Sequence, residues 1–330
     1  MAEGGRLYRS YKTELKPTEV QARKMRQNMG VCRFLYNSYL NMNIKLFRLY
    51  TRGLLDERQD RFITAIDFDK YINRRIKVQA QYAWINDCGS KARKKAVTNA
   101  QAAYRNYFNS RSCFPRFKSK HGEAVKLYFP RNNATDWKIT RSWVRIPTFG
   151  TVRLKEYGYL PERGRVVSGT VSYRGGRFYL SVLVEVQREF NAGGGEAEVS
   201  FDAECFIRCG SITGEDVEAR SGVQKLKKRL HREHRSLRRK LLQSSYSSHI
   251  KAQRLYIDKL HQRLECIRDD YLHKLAAKVL ALKPGRIVCR RLTEEDKQLK
   301  NAVQLRRLYY VFCEKLAHKA RLRGIEVDFI

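Results

Sequence analysis

The chain has 330 residues, 68 of them lysine or arginine against 33 acids, so its formal net charge is +35 at pH 7. A hydrophobic fraction of 42% with 11% aromatics excludes a disordered chain and leaves room for two or three domains, each with a core of its own. Soluble domains ordinarily carry a net charge of roughly 2–8 in magnitude, so this surplus excludes a merely solubilising surface and calls for a polyanion, of which nucleic acid is the obvious one.

A basic membrane-surface protein is the other class of such charge. No run is long enough to span a bilayer, and there is no amphipathic anchor or lipidation motif. The opening Met-Ala-Glu-Gly-Gly-Arg-Leu-Tyr has no apolar segment of the secretory type, which predicts a cytoplasmic protein associated with the nucleoid and no membrane partner. Cys32, Cys88, Cys113, Cys205, Cys209, Cys266, Cys289 and Cys313 are scattered, several of them inside apolar runs. That pattern predicts reduced thiols rather than a disulfide framework. Cys205 and Cys209 fall on one face of an alternating strand, so core packing is expected there and no metal site.

In chain order, residues 7–15 alternate as a strand. Pro17-Thr18 opens a helix with Glu19 in its first turn, and Gly30 is expected to end it. Residues 31–46 read as a second helix, 60–80 as a weaker one and 90–108 as a strong one. In the last, Ala92, Ala96, Ala100 and Ala103 form a small stripe for close packing, with Arg93, Lys94, Lys95 and Asn99 off it. Such a face suits phosphate and base-edge contacts, and equally a solvated helix surface. Residues 113–120, Cys-Phe-Pro-Arg-Phe-Lys-Ser-Lys, interleave rings that can stack on unpaired bases with Arg116 and Lys118, which can hold phosphates.

Residues 124–187 change to β: segments 125–129, 137–139, 143–146, 151–154, 166–173 and 177–186, separated by turn residues, suggest a small barrel. The strand at 7–15 can complete it, making 18–121 an insertion. Asn191-Ala-Gly-Gly-Gly195 is a linker. Residues 198–202 form a strand ending on Asp202, and 206–209 and 215–219 read as hairpin strands. A basic helix follows at 223–243. Leu226, Leu230, Leu237 and Leu241 line one face, and Lys225, Lys227, Lys228, Arg229, Arg232, Arg235, Arg238, Arg239 and Lys240 cover the rest, as the wall of a phosphate-lined channel. The helix at 249–282 pairs with it as an antiparallel hairpin. Then come a short buried strand in 285–292, Gly-Arg-Ile-Val-Cys-Arg-Arg-Leu, a helix at 303–323 and a strand at 325–330.

This order of parts resembles the TnpB family of transposon-encoded RNA-guided nucleases, relatives of the type V CRISPR effectors. The residues that carry it are Tyr11-Lys12 with Pro17 and Gln21; Gly30, Arg33-Phe34, Tyr36-Asn37 and Leu40; Ala103-Tyr104, Asn106 and Phe108; Phe114-Pro115-Arg116-Phe117-Lys118; Ile146-Pro147 with Gly150; and the strand to Asp202. The resemblance implies a multidomain α+β fold. An oligonucleotide-binding-type β-barrel (the wedge, 1–17 and 122–190) carries an inserted helical recognition lobe (18–121), and a linker (191–196) leads to a RuvC-like RNase H-fold domain (197–330). That last domain is expected to be inactive and to lack the C-terminal zinc-finger part.

The family cuts DNA with two metal ions held by three carboxylates. Asp202 matches the first, with Glu204 where a glycine is usual. The second, in an Ile-Glu-Asp-Leu-like strand end, falls on Arg290, and the third has no counterpart before Ile330. A guanidinium stays charged and repels Mg²⁺ where a carboxylate would bind it. Glu294, Glu295 and Asp296 lie beyond the strand end, in expected loop. Arg290 either pairs with Asp202 or touches phosphate.

The expectation is a nuclease-dead relative without a catalytic residue: a monomeric ribonucleoprotein with a guide RNA in place of any cofactor. It would bind double-stranded DNA carrying an adjacent motif and repress transcription. Ser90, Lys91, Lys94, Lys95, Asn99, Arg33, Tyr36 and Asn37 are the candidates for reading that motif, from their polarity and their place in the family pattern. A residual nuclease and a guide-independent nucleic-acid-binding remnant are the competing readings.

Overall fold

The computed structural model describes residues 7–54, 62–120, 126–131, 133, 136–162, 164–187, 193–243, 247–298 and 303–330. The chain divides into two units, Tyr8–Val186 and Gln187–Ile330, the latter grouped with Met1–Leu7, each described by itself below. Among the described residues no helix is long and apolar enough to cross a membrane.

The first unit opens with β1 (Leu7–Lys16) and α1 (Glu19–Thr51). Thr18 starts α1 with a capping box: its hydroxyl accepts from the Gln21 N–H, and the Gln21 side chain accepts from the Thr18 N–H. The Gln21 amide also donates to Phe149 O and Thr151 O at 3.3 and 2.7 Å, tying the helix start to a later strand. Gly30 does not end this helix, as the sequence predicts it should. One interior glycine costs a helix about 1 kcal/mol. That is outweighed by apolar side chains buried on both sides of it, Met25, Met29, Val31, Cys32, Leu35 and Leu40.

The weak helix expected at 60–80 is broken into α2 (Ala65–Tyr71), a π-helical turn (Ile72–Ile76) and a 3-10 segment (Ala80–Asp87). Then α3 (Ser90–Phe108) lays Ala92, Ala96 and Ala100 against α1. Arg93, expected off that stripe, is buried, and its Nε has no hydrogen-bond partner.

The remaining strands are β2 (Leu127–Pro130), β3 (Lys138–Ile139), β4 (Trp143–Ile146), β5 (Gly150–Leu154), β6 (Arg165–Arg174) and β7 (Arg177–Val186). With β1 they form one seven-stranded sheet in the order β2-β6-β7-β1-β5-β4-β3, so the helices lie between its first two strands in sequence. Gly175 and Gly176, at φ 58° and 84°, make the two-residue turn that pairs β6 with β7. Phe178, Leu180, Val182 and Val184 alternate into the core, and the Trp137 ring packs on the bare backbone of Gly169.

The second unit has β8 (Glu196–Val199), β9 (Arg208–Cys209), β10 (Ile212–Thr213), α4 (Ser221–Gln243), α5 (Ser248–Ala281), β11 (Arg286–Cys289), α6 (Glu294–Gln298), α7 (Val303–Leu322) and β12 (Glu326–Phe329). A parallel sheet of order β12-β11-β8 places Cys289 opposite Val199 and Phe329. Leu272, Leu275 and Val279 of α5 and Phe312 and Leu316 of α7 share its core.

Four expectations are corrected here. The strand predicted at 206–209 begins only at Arg208, because Phe206 takes a φ of 51° and turns the chain. That turn leaves Cys205 half-buried outside the strand and Cys209 buried within it, so the two do not share a strand face. Residues 215–219 form a turn, and Cys209 pairs instead with Ile212 in a tight hairpin. Glu294, Glu295 and Asp296 stand in the first turn of a short helix rather than in a loop, an arrangement that suits acids at a helix N-terminus. All eight cysteines are free.

Candidate nucleic-acid interface

The basic helix is built as its sequence requires. Lys225, Lys228, Arg229, Arg232, Arg235, Arg238, Arg239 and Lys240 are exposed, while Leu226, Leu230 and Leu237 are half-buried against α5. Lys225, Lys227, Lys228, His231, Arg232 and Arg235 line an open groove of about 700 Å³. Lys227 differs from the others in also having an acidic partner. Its Nζ lies 2.5 Å from the buried carboxylate of Glu218, which also takes both the Nε and the Nη2 of Arg268. Burial pushes the Glu218 carboxyl up, but Arg268 and Lys227 outweigh it and hold it below the usual range. This triad pins α4, α5 and the preceding turn together.

The aromatic-basic segment is fixed from α1. Asn37 Nδ2 donates to Lys118 O at 2.9 Å, and Lys118 N donates to Asn37 Oδ1 at 2.8 Å. The Lys118 ammonium sits 4.7 Å from the centre of the Tyr36 ring, which is buried. Tyr36 and Asn37 were predicted to read bases. The turn of α1 aims both at this segment, so Tyr36 offers no exposed edge and Asn37 has both amide atoms engaged. Arg116 is exposed.

On α3, Ser90, Lys94, Lys95 and Asn99 are exposed and Lys91 is half-exposed. Lys94 lies 3.6 Å from Asp69, and Lys95 lies over the Tyr128 ring at 5.4 Å. Arg33 and Asn37 both line a groove of about 720 Å³, with Phe34, Asn41, Trp84, Asp87 and Phe117. Sequence reasoning missed Trp84 and Asp87, because a short 3-10 segment repeats every three residues and matches neither the α-helical nor the strand period.

In the second unit the end of β8 and the end of β11 stand side by side. Arg290 N donates to Val199 O at 2.9 Å, and the Tyr309 hydroxyl bridges Val199 O and Arg290 O at 3.1 and 2.6 Å. Arg290 does not pair with Asp202: its guanidinium pairs with Glu198. Asp202 pairs instead with Arg208, whose Nη2 and Nε lie 2.7 and 3.1 Å from Oδ2. Its Oδ1 accepts from the Glu204 and Cys205 N–H groups at 2.8 and 3.2 Å. Arg208 first, and then these amides, hold the Asp202 carboxyl down to about 2. Among the described residues no three His, Cys, Asp or Glu side chains stand where they could share a metal ion. One carboxylate already saturated by a guanidinium, with no second acid grouped with it among the described residues, is a donor set that does not fit a pair of divalent cations.

Comparison with known proteins agrees with this architecture. A helix-turn-helix domain family (HTH_OrfB_IS605) matches residues 7–50, which here are β1 and most of α1. A protein of Escherichia coli (strain K12) named as an RNA-guided DNA endonuclease, InsQ, is 27% identical over 272 residues, covering 82% of this chain and 63% of its own length. A Streptomyces pristinaespiralis protein named as an RNA-guided DNA endonuclease is 25% identical over 273 residues, 82% of this chain and 64% of its own. The chain thus spans a little under two thirds of these relatives. In fold, it matches Cas12f1 from a cryo-EM structure of its complex with sgRNA and target DNA, with a TM-score of 0.53 at 11% identity over 98% of this chain and 89% of that one. In its matched first segment and in these relatives the chain is similar to proteins named as RNA-guided DNA endonucleases, and in fold it is similar to Cas12f1.

Proposed function

We propose that this protein is a nuclease-dead, RNA-guided DNA-binding protein that represses transcription. The observation that carries the reading is the state of Asp202. Its carboxylate is closed by Arg208 and two backbone amides, and the adjacent strand ends on Arg290 where the family pattern has glutamate. A metal ion at Asp202 would have to displace Arg208 and the two amide donors.

The nucleic-acid-binding body remains strongly basic. The cations of α4 are exposed, and their spacing along one helix suits a polyphosphate backbone. The guide RNA lies along these cations and the sheet of the first unit. Pairing between guide and target supplies sequence specificity, and the protein reads a short motif on the flanking duplex. A monomer so bound to double-stranded DNA obstructs RNA polymerase without breaking a strand.

Purifying the protein from its natural host and sequencing the RNA bound to it tests this directly. One defined small RNA is expected; a random population, or none, contradicts guidance.

A further inference from the structure

The groove beside α1 has a composition that the phosphate-binding cations do not explain. Trp84 is 40% exposed and Phe117 54% exposed, and both face the same space. The Trp84 ring is held in place. Its indole N–H donates to Gln81 O at 2.9 Å, and the Phe34 ring meets it edge-on with centroids 5.1 Å apart. With its one polar atom satisfied within the chain, the indole has its face left to offer. Phe117 is held by the pair of hydrogen bonds between Asn37 and Lys118.

Asp87 lines the same groove as an exposed acid in a chain of net charge +35. A phosphate would be repelled by it, whereas an amino group on a base edge would donate to it. Arg33, on the α1 side, can meet the phosphate of a nucleotide whose base has entered. The volume, about 720 Å³, falls in the range of about 300–1,000 Å³ that receives a small organic group.

We propose that this groove binds one unstacked cytosine of a single-stranded segment, with the ring against Trp84 and Phe117 and the exocyclic amine donating to Asp87. The inference rests on the reading of the chain as a nucleic-acid-binding protein but needs no guide. Rings supply affinity without choosing a base, and the carboxylate supplies the choice.

Fluorescein-labelled oligo(dC) and oligo(dT) of equal length, titrated against the full chain at one salt concentration, test it. Oligo(dC) should bind about fivefold or more tighter, and Asp87→Asn should remove that difference. Trp84→Ala should weaken both ligands about fivefold or more, with Trp84→Phe keeping most of the affinity and reporting on folding. Equal affinity of the native chain for the two ligands overturns the proposal, as does unchanged binding by both Trp84 variants. A chain that carries one defined RNA yet shows no cytosine preference refutes this inference alone; a chain that binds neither oligonucleotide nor RNA refutes the functional reading beneath it.

Discussion

Arg208 donates twice to a single carboxylate oxygen of Asp202, from Nη2 at 2.7 Å and from Nε at 3.1 Å. The two residues are six apart, and the turn at Phe206 brings them together. A carboxyl held at about 2 in the folded chain, against about 3.9 when unfolded, contributes stability that is fully present above pH ~4 and lost as the pH falls through 2. Arg208→Ala should flatten that acid limb while leaving the chain less stable at pH 7. Carbon-13 NMR titration of the Asp202 carboxyl should show its midpoint rising towards the ordinary value; an unmoved midpoint would mean the backbone amides alone set it.

Glu218 is buried between Lys227 and Arg268. Glu218→Gln strands two half-buried cations. It should cost about 3 kcal/mol, or roughly 5–10 °C in the thermal midpoint. Amide exchange along α4 should quicken with it. Equal melting of the two chains would show that the triad is no stronger than its solvated parts.

Gly169 has no room for a side chain, because a Cβ there would overlap the Trp137 ring. Gly169→Ala should destabilise the chain by about 2 kcal/mol in urea unfolding. In a chain already carrying Trp137→Leu, the same change should cost far less, since the two positions share one contact.

The cations of α4 divide into two kinds. Lys225, Lys228, Arg232 and Arg235 face open solvent, and Lys227 faces Glu218. Changing the first four to glutamine should lower the slope of log affinity against log salt by about 3. Lys227→Gln should leave that slope nearly unchanged and lower the melting temperature instead. Filter binding at a series of salt concentrations separates the two outcomes.

Much of this was legible in sequence because the relevant forces are local. The alanine stripe of α3 and the alternation of β7 mark their elements almost to the residue. Gly30 misled because its helical cost is small beside the burial of its neighbours, which no local window contains. The partners of Arg290 and Asp202 were not legible either. Arg208 reaches Asp202 only because Phe206 turns left-handed, and Glu198 reaches Arg290 only through parallel register. That tertiary packing buries Tyr36 under Lys118, and places Asn37 both against that segment and along the groove of Arg33, was not legible either.

The most direct test uses the protein together with the RNA that purifies with it. Supercoiled plasmid bearing the matching target and its flanking motif is incubated with this complex and Mg²⁺, then run on a gel beside an unmatched plasmid. The account predicts that matched plasmid is bound and remains supercoiled once protein is removed. Nicked or linear product from the matched plasmid alone, abolished by Asp202→Ala, would contradict it.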